Sequence, residues 1–152
     1  MKNTILAARA DFLTELTTAG RKLRTMFDAR VKERGLTLAR ARALLFLSRN
    51  PCMTQTELAS ALEIETPTLV RLLDGLEKQG LVERNAVDGD RRAKHITLTE
   101  AAQSQVRGID EVTNQLREQV LRDIDEEQLL AGIRVLRLLQ KNIEAMNEGA
   151  AS

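Results

Sequence analysis

Apolar residues along this chain recur mainly at steps of three and four, the period of amphipathic helices, and give way to short strand-like runs only between Leu81 and Leu98. From about Ala7 to Glu33, Phe12, Leu13, Leu16, Leu23, Met26, Phe27 and Val31 mark a first long helix, with Gly35 as its stop. Its apolar face is longer than one compact neighbour covers, which points to packing against a second subunit. Thr37 caps a second helix through Asn50, with Leu38, Leu44, Leu45 and Leu47 apolar and Pro51 marking its end. Thr54 opens a third with T-x-x-E, the signature of a capping box, and turns Leu58, Ala59 and Leu62 inward.

Thr66 reads as the N-cap of a fourth helix with Pro67 at its first position, and Gly80 as its C-terminal stop. Leu69, Leu72, Leu73 and Leu76 form its buried stripe. Leu81 to Arg84 and Lys94 to Leu98 then read as two short strands, with Asp88, Gly89 and Asp90 as turn formers between them. Thr99 and Glu100 open a fifth helix with Val106, Ile109, Leu116, Val120 and Ile124 on one face. Asp125 and Gln128 box the start of a sixth, expected to bury Leu129, Ile133, Leu136, Leu139, Ile143 and Met146, before a fraying tail from Asn147 to Ser152. The fold class expected is mainly α with a small β-hairpin, a winged helix-turn-helix flanked by helices.

The fourth helix turns Thr68, Arg71, Gly75 and Lys78 away from its leucines. Short hydroxyls followed by an arginine one turn on suit a helix entering a DNA major groove, where Thr meets phosphate or a thymine methyl and Arg pairs with guanine. A capped surface helix carrying an arginine is common, however, and the following hairpin strengthens the reading. It carries Arg91 and Arg92 near its tip, and narrow minor grooves attract inserted arginine. A structural role competes, in which Asp74 or Asp90 pairs with one of these arginines and holds the hairpin to the fourth helix; each arginine is expected to take one role.

Charge sharpens this picture. The formal net charge is only +1, but residues 1–98 carry 17 Lys and Arg against 12 Asp and Glu, and residues 99–152 carry 6 against 10. The excess of cations lies with the helix-turn-helix, as polyanion binding requires. Between Arg34 and Arg49 stand four arginines and no acid, so Arg40 and Arg42 are either a solvated face or contacts to an anion. At 152 residues, one domain with a helical aliphatic core is expected. Three phenylalanines are the only aromatics, which disfavours the stacking platforms of single-strand binders.

Catalysis has little to work with. One His and one Cys cannot build a structural zinc site, no disulfide can form within the chain, and no G-x-S-x-G, H-E-x-x-H or phosphate loop occurs. No enzyme activity, metal or cofactor is expected. Only Arg49 stands near Cys52 to activate its thiol, so redox sensing is not expected either. His95, on a strand without a second ligand, reads as structural or phosphate-facing. Arg9 and Asp11 interrupt the start too early for a signal peptide, and no run approaches a membrane span, so a cytoplasmic protein without membrane contact is expected.

Three motifs, TQTELASALEI, TPTLVRLLDGLEKQGLVER and DGDRRAKHITLTE, in this order of elements, resemble the MarR family of bacterial winged-helix transcription regulators. The run IETPTLVRLLDGLEKQGLVER looks particularly like the SlyA branch. The resemblance implies a single MarR-type domain over residues 1–152, with a winged helix at about 36–98 and dimerisation helices at about 1–35 and 99–147. It implies a homodimer on pseudopalindromic double-stranded DNA, with Thr66, Thr68 and Arg71 at the major groove and Arg91 and Arg92 at the wing tip. Lys78, with Thr54 and Gln55 at the opening of the third helix, completes the expected DNA-facing set. It further implies a repressor released by a small phenolic, aromatic carboxylate or acyl-thioester effector, for which Phe12, Leu16, Arg40 and Leu44 are the expected lining. An architectural, countersilencing protein with an A·T preference and no effector is the alternative.

Overall fold

The computed structural model describes residues 2–87 and 89–150, with the side chains of Lys2, Asn3, Val87 and Asp90 to Ala93 left outside the description. Among the described residues six helices and three strands follow in the order α1 (Lys2–Lys32), α2 (Leu38–Arg49), β1 (Met53–Thr54), α3 (Gln55–Ala61), α4 (Thr66–Lys78), β2 (Val82–Val87), β3 (Asp90–Leu98), α5 (Glu100–Val120) and α6 (Glu126–Ala150). The chain divides into two compact units, Met1–Leu116 and Arg117–Ser152.

The core of the first unit is aliphatic. Leu44 and Leu47 of α2, Leu58 of α3, Leu69, Leu73 and Leu76 of α4, Ile96 of β3 and Ile109 of α5 are all essentially inaccessible to solvent. The leucine stripe of α4 is therefore buried as its spacing predicts. The sheet has the order β1-β3-β2, with both pairings antiparallel. β1 is a finding beyond the expected hairpin: Met53 pairs with Ile96 and Thr54 with His95. Two residues leave no periodicity to read, so only the proximity of β3 reveals them as a strand. The hairpin strands also run further toward the tip than expected, with a bulge between Ala86 and Val87. Of the expected turn formers, Gly89 takes φ +86°, while Asp88 lies outside the described residues.

Helix boundaries follow cap chemistry. Thr54 and Glu57 form the expected capping box: the Glu57 N–H donates to the Thr54 hydroxyl at 3.2 Å, and the Thr54 N–H donates to Glu57 Oε2 at 2.8 Å. Asp125 and Gln128 do the same before α6. Thr37 caps α2 by accepting from the Arg40 N–H at 3.3 Å. One cap differs from expectation: Thr66 is the first helical residue of α4, and Glu65 is its N-cap, without a side-chain bond. The Glu65 carbonyl already accepts from the Leu69 N–H at 3.0 Å, which starts the helix one residue earlier. At the other end Gly80, at φ +71°, closes a Schellman motif. Its N–H donates to the Glu77 carbonyl at 2.9 Å, and the Leu81 N–H donates to that of Leu76 at 3.0 Å.

The terminal helices depart from expectation in burial. α1 begins at Lys2 rather than near Ala7, because nothing in Lys2 to Leu6 breaks a helix. Phe12, Leu13, Leu23 and Met26 remain exposed on it, while near its end Val31 joins the core and Phe27 packs against it. α6 buries none of its residues: Ile133, Leu136, Ile143 and Met146 are exposed, and Leu129 and Leu139 are half-buried. Ile124 falls between α5 and α6 and is exposed too. The burial expected of this face is not found among the described residues. α6 also runs through Ala150, past the expected fraying point at Asn147: no proline interrupts the backbone ladder there, and neither Asn147 nor Gly149 takes the left-handed conformation that would end it. Ala151 and Ser152 lie outside the described residues.

Candidate nucleic-acid interface

Pro67 and the Schellman stop fix both ends of α4, and its leucines bind it to α2 and α3. What remains for solvent is one polar face. Thr66, Thr68, Arg71 and Lys78 are all exposed there, and Gly75 lies among them, partly covered. Spacings of three and four from Thr68 through Arg71 and Gly75 to Lys78 keep these positions on one side of the helix.

The wing is tied to this helix by an arginine that the sequence reading left unassigned. Arg84, on β2, donates from one guanidinium nitrogen to Asp74 Oδ1 and, at 3.0 Å, to Glu77 Oε2, both on α4. Its side chain is only 14% exposed, although the two carboxylates are open to water. Its hydrogen bond to the Asp74 carboxylate is the main reason its pKa is pushed above the ordinary arginine value, so the anchor stays charged at any working pH. The side chains of Asp90, Arg91 and Arg92 lie outside the described residues; Asp74, expected to pair with Arg91 or Arg92, pairs with Arg84. A signal for it was present: Arg84 stands two residues after Val82, which is buried, and side chains at i and i+2 share a strand face. The backbones of Arg91 and Arg92 lie in β3, and their side chains are outside the described residues.

A second arginine reaches α4 from the other side. Arg40, in the first turn of α2, lies where a side chain of residue 75 would stand. A Cβ added at Gly75 would be 2.7 Å from Arg40 Cζ and 3.0 Å from its Nε, and would collide with Nη2. Arg40, Asp74, Gly75, Glu77 and Lys78 together line an open groove of about 630 Å³.

The remaining expected residues are dispersed. Thr54 is half-buried in β1, with its hydroxyl oxygen and N–H both engaged in the cap of α3, and Gln55 is half-buried beside it. Of the expected effector lining, Phe12 and Leu16 lie on α1, exposed and half-buried, whereas Leu44 is sealed in the core and Arg40, on α2, lays its guanidinium against Gly75 of α4. Arg34 and Arg49, at the two ends of the cationic stretch, lie 3.8 Å from Glu111 and Asp110 of α5, and the Arg34 guanidinium fills the space beside Gly108. His95 sits in β3 opposite Thr54 and Asn85, and Cys52 is exposed in the turn before β1. Among the described residues no helix is long and apolar enough to cross a membrane, and no group of His, Cys, Asp or Glu could hold a metal ion.

Known proteins share this arrangement. A sequence model of the MarR family matches residues 34–93, the span from the end of α1 into the wing. The crystal structure of the transcriptional regulator PA3341 is similar over 88% of this chain and 98% of its own, at 44% identity and a TM-score of 0.79. The Staphylococcus aureus MepR–DNA complex is similar at 20% identity and a TM-score of 0.78, covering 87% of this chain and 97% of that one. A Staphylococcus aureus MarR in complex with salicylate and kanamycin matches at 18% identity and a TM-score of 0.82, over 91% and 93% of the two chains. These last two are likenesses of fold. With its winged helix, its polar α4 face and its extensive identity to a transcriptional regulator, the chain belongs to the MarR family of DNA-binding transcription regulators.

Proposed function

We propose that this protein is a cytoplasmic, homodimeric repressor that binds a pseudopalindromic operator through α4 and the wing, and that a small lipophilic or aromatic anion weakens that binding. The observation that carries the reading is the exposed row Thr66, Thr68, Arg71 and Lys78 on a helix whose ends, buried face and attached wing are all fixed. Such rigidity suits readout, because base contacts require side chains held in register with the groove. Thr66 and Thr68 meet phosphate or thymine methyls, Arg71 meets a guanine, and Arg91 and Arg92 enter the adjacent minor groove.

Dimerisation is supported by the apolar surface left on α1 and α6. Ile5, Leu6, Phe12 and Leu13 on the first, with Leu136, Leu138, Ile143 and Met146 on the last, are between 37% and 74% exposed. Large apolar side chains left open along a helix call for a partner. Two recognition helices related by a two-fold axis then read half-sites about one helical turn apart. An effector acts only through its different affinity for the DNA-competent and incompetent arrangements. The salicylate complex of the similar Staphylococcus aureus MarR directs the search for one to aromatic acids.

The test is equilibrium binding to DNA selected by the purified protein from random duplexes. Arg71→Ala is expected to relax the selected sequence at one position per half-site, a loss of about 1–3 kcal/mol in discrimination. Arg91→Ala and Arg92→Ala are expected to weaken binding across sequences and flatten its salt dependence. If all three variants select and bind DNA as the parent does, the reading is wrong. Thermal shifts with salicylate, other aromatic acids and an acyl thioester, with DNA affinity measured alongside, separate the effector-responsive repressor from an architectural A·T-preferring protein.

A further inference from the structure

The groove beside Gly75 holds an arginine with no evident structural task. Asp74 and Glu77 line it, but both serve Arg84. Among the described residues Arg40 forms no ion pair, and its guanidinium lies over α4 at the one outward position where that helix has no side chain. Arg71 stands four residues before Gly75 and Lys78 three after it, so Arg40 is delivered from α2 into the row that α4 presents. A helical glycine is costly in backbone entropy compared with alanine. Here its lack of a Cβ leaves the guanidinium its place.

We infer that Arg40 is a DNA-backbone contact: it reaches across Gly75 and, with Lys78, binds a phosphate flanking the part of the groove that α4 reads. An always-charged, planar guanidinium offers several N–H donors to phosphate oxygens, and its position at the edge of the helix suits the backbone rather than the bases. Gly75 is then a positioning residue, retained for the space it leaves. The inference rests on the DNA-binding reading above and extends the interface to α2.

Salt-dependent affinity for a selected duplex tests it. Loss of the parent's own DNA binding would count against the proposed function; every comparison below assumes a parent that binds. Arg40→Ala is expected to lower the slope of log affinity against log salt by about 0.9 for each protomer, and affinity about fivefold per protomer at 0.15 M salt. Arg40→Lys retains the charge and most of the slope. Gly75→Ala is the decisive variant: the guanidinium end of a long side chain swings aside easily, so thermal stability is expected to hold or rise while DNA affinity falls to that of Arg40→Ala. Added to Arg40→Ala, it should cost nothing further. The inference is overturned if Arg40→Ala binds with the parent's affinity and slope, or if Gly75→Ala harms binding equally with and without Arg40. It is likewise overturned if Arg40→Ala abolishes a salicylate thermal shift and leaves the salt slope intact, since the arginine then serves an effector carboxylate.

Discussion

Arg84 joins the wing to α4 by two ion pairs. It is nearly covered, lies on the wing strand and donates to two carboxylates on α4, so removing it frees the wing from the helix and leaves Asp74 and Glu77 facing each other unneutralised. Arg84→Ala is expected to cost about 1.5–3 kcal/mol in urea unfolding, the range for hydrogen bonds to charged groups. DNA affinity should fall as well, since the wing loses its fixed position. Glu77→Gln, which keeps one acceptor and leaves Asp74 in place, should have a smaller effect on both. A stability equal to the parent's for Arg84→Ala would show that the wing is held by its backbone pairing alone. The sequence points to Asp74 or Asp90 as an anchor for Arg91 or Arg92; it does not single out Arg84, because charge and spacing do not tell which strand residues turn toward α4. Burial chose Arg84.

At the scale of elements, the helix-turn-helix is held by its caps. The Schellman motif at Gly80 turns the chain from α4 into β2, and Leu81, buried just beyond it, seals the turn against the core. The Thr99 hydroxyl donates to the Gly80 carbonyl at 2.6 Å and its N–H to the Leu81 carbonyl at 3.1 Å, closing the base of the wing. Gly80→Ala places a Cβ in the left-handed region and is expected to cost about 1–2 kcal/mol, read as a lowered thermal midpoint. The cap of α3 makes stability depend on acid. The Glu57 carboxyl is held below the usual carboxylate range first by the Thr54 N–H and then by the Thr54 side chain. A carboxylate depressed on folding contributes stability above its unfolded pKa and loses that contribution as pH falls through the folded one. The thermal midpoint of the parent should therefore exceed that of Glu57→Gln near neutrality, and the gap should close on titration below about pH 4. A gap that persists into acid would assign the difference to packing instead of charge.

The whole molecule is divided between a packed reader and helices whose apolar faces look outward. In the first unit the core leucines are sealed, and Leu73→Ala, at the buried centre of α4, is expected to cost about 2–5 kcal/mol in urea unfolding. α6 is different: Leu136 is 37% and Leu138 60% exposed, so truncation there should scarcely affect an isolated chain. Under the proposed dimer, Leu136→Asp should instead yield monomers in sedimentation equilibrium and weaken operator binding, because two half-sites are then no longer read together. A variant that remains dimeric would place the subunit contact elsewhere.

The local rules written in the sequence determined most of the elements. Thr54 with Glu57, Asp125 with Gln128, Pro67, Gly35 and Gly80 mark helix ends because capping and left-handed turns depend on neighbours within a few residues. The period of the leucines likewise decided which face of α4 is buried. Tertiary structure decided what depends on residues distant in the chain. β1 is a strand only because β3 lies beside it, and Arg84 holds the wing because its side chain turns toward Asp74 and Glu77. Arg40 reached the outward face of α4 only because the packing of α2 on that helix brings position 40 to Gly75. A periodic pattern says that a face is apolar, but the packed chain decides what, if anything, covers it, and on α1 and α6 the single chain leaves it open.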